Sequence, residues 1–61
     1  TPRETQVLGL LAQGMKNIEI AEELLIAESS VRWHIKNLYT KLDVHNRTAA
    51  TVIGRELKLI R

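Results

Sequence analysis

Residues 17–42 read NIEIAEELLIAESSVRWHIKNLYTKL, and this stretch decides the fold. Its first part has Ile20, Ala21 and Leu24 at helical spacing, which predicts a short helix with one buried side. Residues 25–27 interrupt the pattern, and a longer amphipathic segment follows over residues 28–42. Only three or four residues separate the two segments, so the helices must cross sharply. A short helix, a tight turn and a longer helix with a basic face is typical of a helix-turn-helix.

Helices are also predicted on both sides of this stretch, which gives an all-α domain of four helices. Thr1 and Glu4 have the spacing of a capping box with Pro2 between them, and Gly14 has the position of a helix terminator. Asn17 and Asn46 are predicted as N-caps of the second and fourth helices. The apolar residues that the first and fourth helices are expected to bury are Val7, Leu8, Leu11, Ala49, Ala50, Val52, Ile53 and Leu57. Gly54 is expected to allow a close approach by another helix.

The third helix has three faces when its residues are placed at about 100° per residue, and one of them consists of Ser30, His34, Asn37 and Lys41. Its core stripe consists of Val31, Ile35, Leu38 and Leu42, and Tyr39 lies at the edge of this stripe. The face roughly 140° away from the core consists of Ser29, Arg32, Trp33, Lys36 and Thr40. Trp33, the single tryptophan of the chain, is therefore expected to be exposed beside two cations. The alternative is that its ring folds down and packs on an end of the domain.

Length and charge limit the classes of protein that the chain can belong to. Its 61 residues allow one small domain, expected to be a piece of a longer protein rather than a natural short one. The chain has no cysteine, and its apolar runs are too short to cross a membrane. Net charge is +2, but residues 17–28 carry four acids and no Lys or Arg, whereas residues 29–47 carry four bases and one acid. This asymmetry indicates a polyanion partner for the basic segment, although a solvated charged face is the simpler alternative.

The chain offers little for catalysis or metal binding. His34 and His45 have no third ligand at a suitable spacing for a metal site. Glu19 and Glu23 lie one turn apart, and they are better explained as a solvated acidic face than as paired catalytic carboxylates. We therefore expect no enzyme activity, no metal and no cofactor.

A family resemblance covers essentially the whole chain. The matching residues run in order without gaps: Thr1-Pro2-Arg3-Glu4, Val7-Leu8, Ala12-x-Gly14, Asn17-x-Glu19-Ile20-Ala21, Leu24-x-Ile26, Ser30-Val31-x-x-His34-Ile35-x-Asn37-Leu38, Lys41-Leu42-x-Val44 and Arg47. They resemble the LuxR-type helix-turn-helix domain, a four-helix DNA-binding domain at the C-terminus of many bacterial transcription regulators. The run from His34 to Leu42 is most similar to the large ATP-dependent activators of that family.

The resemblance implies that the third helix, at about residues 28–42, enters the major groove of double-stranded DNA. It implies base contacts at Arg32, Trp33 and Lys36. The expected contacts to the DNA backbone are Lys16, Asn17, Ser29, Ser30, His34, Asn37, Lys41 and Arg47. The fourth helix often mediates dimerisation in the family, which implies a homodimer on DNA through Ala49, Val52, Ile53 and Glu56. RNA polymerase is a second candidate partner, and the expected location is the cytoplasm.

Several features keep other interpretations open. Ala27 stands where the family usually has Ser or Thr, so it lacks the hydrogen bond that would cap the third helix, at a cost of about 1 kcal/mol. His34 could be a packing residue, Lys41 a cation that favours the helix C-terminus, and the apolar residues of the fourth helix ordinary core. Two rival functions are a protein-interaction module centred on Trp33 and Arg32, and a sigma-type helix-turn-helix domain, which agrees at fewer positions.

Overall fold

The computed structural model describes residues 2–60 and confirms the predicted all-α fold. Four helices follow one another: α1 (Pro2–Ala12), α2 (Asn17–Leu24), α3 (Glu28–Leu42) and α4 (Arg47–Glu56). α3 packs against the other three helices, and α1 also packs against α4. Within residues 2–60 no helix has the length and apolar character that a membrane crossing requires.

The first helix supplies the largest part of the core. Val7, Leu8 and Leu11 are buried, as their spacing predicts. Gly14 has φ +86°, a left-handed conformation that favours glycine, so it ends the α1 turn as expected. The Thr1 half of the predicted capping box lies outside the described residues.

The second helix begins differently from the prediction. Asn17 is the first residue of α2 rather than its N-cap, and Lys16 precedes the helix in an extended conformation. The Lys16 side chain cannot accept a hydrogen bond, but the Lys16 backbone N–H donates to Glu19 Oε1 at 2.8 Å. The carboxylate three residues into the helix therefore fixes the helix start, and it also complements the positive end of the helix dipole.

A left-handed residue separates α2 from α3. Leu25 has φ 57° and ψ 44°, and 91% of its surface is exposed. This conformation costs roughly 1–2 kcal/mol in an L-residue, and the exposed side chain recovers none of it by burial. Ile26 is then half-buried, its N–H donates to Ala21 O at 3.0 Å, and α3 begins two residues later.

The third helix has the predicted bounds and the predicted core. Val31 and Leu38 are buried, and Ile35 and Leu42 are half-buried on the same stripe. Ala27 is the N-cap residue and makes no side-chain capping bond, as its chemistry requires. Asp43 ends the helix with φ 54°, and Val44 is buried directly after it.

The fourth helix closes the core against α1. Asn46 Oδ1 accepts from the Ala49 N–H at 2.8 Å, which confirms the predicted cap. Ala50 and Gly54 are buried, and a Cβ at Gly54 would lie 2.8 Å from Leu8 Cδ2, so a close approach does require this glycine. The predicted burial of Leu57 and Val52 is wrong. α4 ends at Glu56, which takes Leu57 off the helical stripe and leaves it 59% exposed, and Val52 is 47% exposed.

Candidate nucleic-acid interface

The candidate interface is the outer face of α3, which the core leaves uncovered. Val31 is fully buried, and it fixes the orientation of the helix on the domain. Arg32, Trp33 and Lys36 are all exposed, and 61% of the Trp33 surface is accessible. The prediction that the tryptophan lies on the exposed side of α3 is therefore confirmed. One side of α3 thus packs in the core, and the other side is accessible to a partner.

Trp33 makes one ring contact within the described residues, to its neighbour His34. The two ring centroids are 5.2 Å apart, and the planes meet at 70°, an edge-to-face arrangement that aromatic pairs favour. This contact lies at the surface, since most of the indole remains accessible. The indole therefore keeps its outer surface available for a partner.

His34 can meet a partner through one nitrogen only. Its Nδ1 is buried and has no hydrogen-bond partner among residues 2–60. A phosphate approaching from outside must therefore be contacted by Nε2. This geometry combines the two interpretations of His34, because one edge of the ring packs and the other can bind.

A concave surface of about 570 Å³ lies beside the basic side of α3. It brings together three predicted site residues, Asn17 at the start of α2 and Arg32 and Lys36 on α3. Its remaining lining consists of Ile35, Tyr39, Thr40, Asp43, Val44 and His45. Ser29, Ser30, Trp33 and Asn37 do not line this surface, although they belong to the same helix. Arg32 and Lys36 thus belong to both the concave surface and the outer face of α3, whereas Trp33 belongs to the outer face alone.

Tyr39 and His45 line the concave surface but were absent from the predicted site. The helical spacing had placed Tyr39 only at the edge of the core, and His45 lies in the turn between α3 and α4, where periodicity gives no orientation. Thr40 is also in the lining, but its hydroxyl already donates to Lys36 O at 3.0 Å. The sequence could have indicated Thr40, since it lies on the exposed face of the helical projection.

Two of the predicted backbone contacts have partners inside the domain. Lys41 Nζ donates to Glu4 Oε1 at 2.8 Å, and Arg47 Nη2 donates to Met15 O at 2.7 Å. The pKa of Glu4 is lowered to about 2, and the hydrogen bond from the Lys41 ammonium is the largest cause. The Lys41 side chain is still 58% exposed, and each cation has further N–H groups, so both can also contact an anion. Their roles in DNA binding stay predictions.

Acidic side chains lie close to the basic face. Glu28 Oε1 is 3.3 Å from Arg32 Nη1, one helical turn away on α3. Asp43 lines the concave surface with Arg32 and Lys36. Within the described part of the chain, no group of three His, Cys, Asp or Glu side chains could hold a metal ion. The groups available at this surface are therefore cations, carboxylates, amides, hydroxyls and an indole.

The predicted dimer surface on α4 is only partly accessible. Val52 and Glu56 are exposed one turn apart, and 47% of the Val52 surface is accessible. Ala49 and Ile53 are half-buried, and both pack against the core of the domain. The helix therefore serves the core with one side and leaves Val52 and Glu56 for a partner.

Comparison with known proteins gives the same domain throughout. The family of bacterial regulatory proteins, luxR family, matches residues 1–54. The transcriptional regulator MalT of Vibrio campbellii is 47% identical over 57 residues, which are 93% of this chain and 6% of that protein. The transcriptional regulatory protein LiaR of Bacillus subtilis is 45% identical over 60 residues, 98% of this chain and 28% of that protein. The chain thus spans less than a third of these relatives.

A solved structure has the same fold along almost the whole chain. The response regulator ChrA of a heme-sensing two-component system superimposes with a TM-score of 0.95 and 42% identity. The match covers 98% of this chain and 30% of that one. The four-helix arrangement is therefore the arrangement of a domain found in a response regulator.

Proposed function

Because the chain belongs to the luxR family of bacterial regulatory proteins, we propose that α3 enters the major groove of double-stranded DNA. The observation that carries the proposal is the exposure of Arg32, Trp33 and Lys36 on the side of α3 opposite its core contacts. The major groove of B-DNA admits one α-helix, and α3 is the longest helix of the domain.

Arg32, Trp33 and Lys36 read the bases in this proposal. Arg and Lys donate to guanine O6 and N7, and an indole makes apolar contact with a thymine methyl. Trp33 is accessible for such a contact, since 61% of its surface is exposed and its one aromatic contact among the described residues is to His34. The base preference of the domain therefore depends on these three side chains.

Contacts to the phosphates set the position of the domain on the duplex. The concave surface supports this role for Asn17, since it lies beside Arg32 and Lys36. His34 would donate from Nε2, and Lys41 and Arg47 would use the N–H groups left free by Glu4 and Met15. The proposed backbone contacts are Lys16, Asn17, Ser29, Ser30, His34, Asn37, Lys41 and Arg47.

Trp33 fluorescence can test the proposal directly, because the chain has one tryptophan. We would titrate the chain with duplex DNA at several salt concentrations. We expect a spectral change on binding, and an affinity that falls steeply as salt rises because phosphate contacts release counterions. Weak dependence on salt would contradict the proposal and favour the rival function, a protein contact centred on Trp33 and Arg32.

Single substitutions then separate base contacts from phosphate contacts. Lys36→Ala should weaken binding by about 1–3 kcal/mol and relax base preference at one position. Equal weakening on every sequence would instead make Lys36 a phosphate contact. Lys58→Ala is the matched control, since Lys58 is exposed after the end of α4 and should leave base preference unchanged.

A homodimer through α4 extends the proposal. A single module buries little DNA surface, so specific binding needs two copies on paired half-sites. Val52 and Glu56 supply the exposed part of the surface, with Ala49 and Ile53 at its edge. Val52→Asp should abolish cooperative binding to a duplex with two half-sites and leave binding to one half-site unchanged. Loss of binding to a single half-site would instead indicate that Val52 is needed for the folded structure of the domain.

The role of the whole protein follows from this proposal by inference. A regulator of bacterial transcription acts in the cytoplasm, and an activator would also contact RNA polymerase. Both statements stay predictions, as do the similarity to ATP-dependent activators and the absence of enzyme activity. The family match concerns residues 1–54, so it describes a regulatory DNA-binding domain.

A further inference from the structure

Glu28 and Arg32 form an ion pair at the edge of the outer face of α3. Glu28 Oε1 lies 3.3 Å from Arg32 Nη1, and their side chains are 43% and 59% exposed. The pair joins the first turn of α3 to a residue that is proposed to read a base. It therefore places a carboxylate beside the guanidinium before any DNA is bound.

We propose that Glu28 determines specificity by positioning Arg32 for a base and by weakening its attraction to phosphates. This inference rests on the proposed DNA binding. It adds Glu28 as a residue that positions a base-reading side chain. Glu28 is an acid, and neither the charge balance nor the family resemblance indicates such a role for it.

The geometry of the pair leaves Arg32 able to bind a base. One carboxylate oxygen contacts one guanidinium nitrogen, whereas a guanidinium has five N–H donors in a fixed plane. The remaining donors can form the paired contact to guanine O6 and N7. Because Glu28 lies one turn earlier, it draws the guanidinium towards the N-terminal end of α3, the end that reads base edges in helix-turn-helix complexes.

The charge of Glu28 acts on all DNA sequences alike. A carboxylate beside Arg32 repels phosphates and offsets part of the attraction between the guanidinium and the backbone. This effect weakens binding to any duplex. The positioning of Arg32, in contrast, strengthens binding only where a matching base is present. Together the two effects increase the ratio of specific to non-specific affinity.

The experiment compares one selected duplex with a scrambled duplex of the same length. The selected duplex is obtained by enriching a random library on the wild-type chain. For Glu28→Gln we expect affinity for the scrambled duplex to rise about two- to fivefold, the range typical of one exposed charge pair. Affinity for the selected duplex should stay constant or fall, so the specificity ratio decreases.

Glu23→Gln is the matched control. It removes the same charge from an exposed residue, but Glu23 borders a groove with Gln6 of α1 and Gln13 just after α1, and it does not line the concave surface beside α3. We expect its specificity ratio to equal that of the wild type. A second variant tests whether Glu28 acts through Arg32: in an Arg32→Ala background, Glu28→Gln should leave the ratio unchanged.

The possible results separate this inference from the proposed function. Equal increases in affinity for both duplexes in Glu28→Gln would overturn the positioning role and make Glu28 a general repulsive charge. A lower ratio that persists in the Arg32→Ala background would also overturn it. If the wild-type chain binds no duplex even at low salt, the proposed function itself fails, and the inference fails with it.

Discussion

The ammonium of Lys41 near the end of α3 donates to the buried carboxylate of Glu4 in α1, at 2.8 Å and across 37 residues of sequence. Glu4 is 5% exposed, so Lys41 is paired with a carboxylate that is almost fully shielded from water. The pair joins α3 to α1 at a point outside the apolar core. It is also the largest cause of the lowered pKa of Glu4, which is about 2, and this links stability to pH.

The first prediction concerns acid unfolding. Because the pKa of Glu4 is below its ordinary value of 4.5 in the folded chain, its contribution to stability is fully present above pH 4.5 and is lost as pH falls towards 2. Lys41→Met should reduce stability at neutral pH and flatten its decline across this range. Thermal unfolding at a series of pH values measures both effects. Lys36→Met, which removes an exposed cation from the same helix, should keep the wild-type pH dependence.

The second prediction concerns Arg47, whose guanidinium donates to Met15 O in the turn between α1 and α2 at 2.7 Å. Arg47→Met keeps the stem but leaves a half-buried carbonyl without this donor. We expect a loss of about 1–3 kcal/mol in the free energy of unfolding, the range for a hydrogen bond to a charged group. Urea denaturation measures the change. Arg32→Met should lose less than about 0.5 kcal/mol because its ion pair is exposed, and equal losses in both variants would contradict the prediction.

The third prediction compares two glycines that lie on helices in contact. A Cβ at Gly54 would lie 2.8 Å from Leu8 Cδ2 and 3.3 Å from Ile60, whereas a Cβ at Gly9 would meet only Ile60 Cγ2, at 3.9 Å. Gly54→Ala should therefore destabilise the domain by about 1–3 kcal/mol through overpacking. Gly9→Ala should stabilise it by up to about 1 kcal/mol, since alanine favours a helix. Calorimetry of both variants would contradict this account if they shifted the melting temperature in the same direction.

The fourth prediction concerns the turn between α2 and α3. Leu25 has a left-handed backbone and an almost fully exposed side chain. Leu25→Gly should increase the free energy of unfolding by about 1 kcal/mol, because glycine adopts this conformation without the Cβ clash. Leu25→Ala keeps the clash and loses no buried surface, so it should unfold at the wild-type denaturant concentration. A stabilising alanine would show that exposure of the leucine side chain, rather than its backbone, is the source of the cost.

Local patterns predicted the helices well because they depend on neighbouring residues. The stripe of Val31 and Leu38 gave α3 its bounds and its buried side, and Asn46 caps α4 as its residue type suggests. The start of α2 was predicted one residue late, since Asn17 is a good cap but the Lys16 N–H bonds to Glu19 instead. Helix ends are the least certain part of such predictions because several nearby groups can satisfy the same N–H.

Contacts between distant residues could not be read from the sequence. Charge counts suggested that Lys41 and Arg47 face an anion, yet their partners Glu4 and Met15 lie on or just after α1. Nothing local distinguishes a cation that faces solvent from one that meets another helix. The concave surface depends likewise on how α2 and the turn at His45 meet α3, so its residues emerged only from the packed structure.

The division of α3 into two sides has a consequence for how such regulators diversify. Val31 and Leu38 hold the helix in the core, whereas Arg32, Trp33 and Lys36 are exposed. Mutations at these three positions therefore leave the buried core of the domain unchanged. A duplicated gene could drift through many combinations of the three residues while still yielding a folded product. If the three side chains read bases as proposed, new operator preferences could then arise without compensating changes elsewhere in the domain.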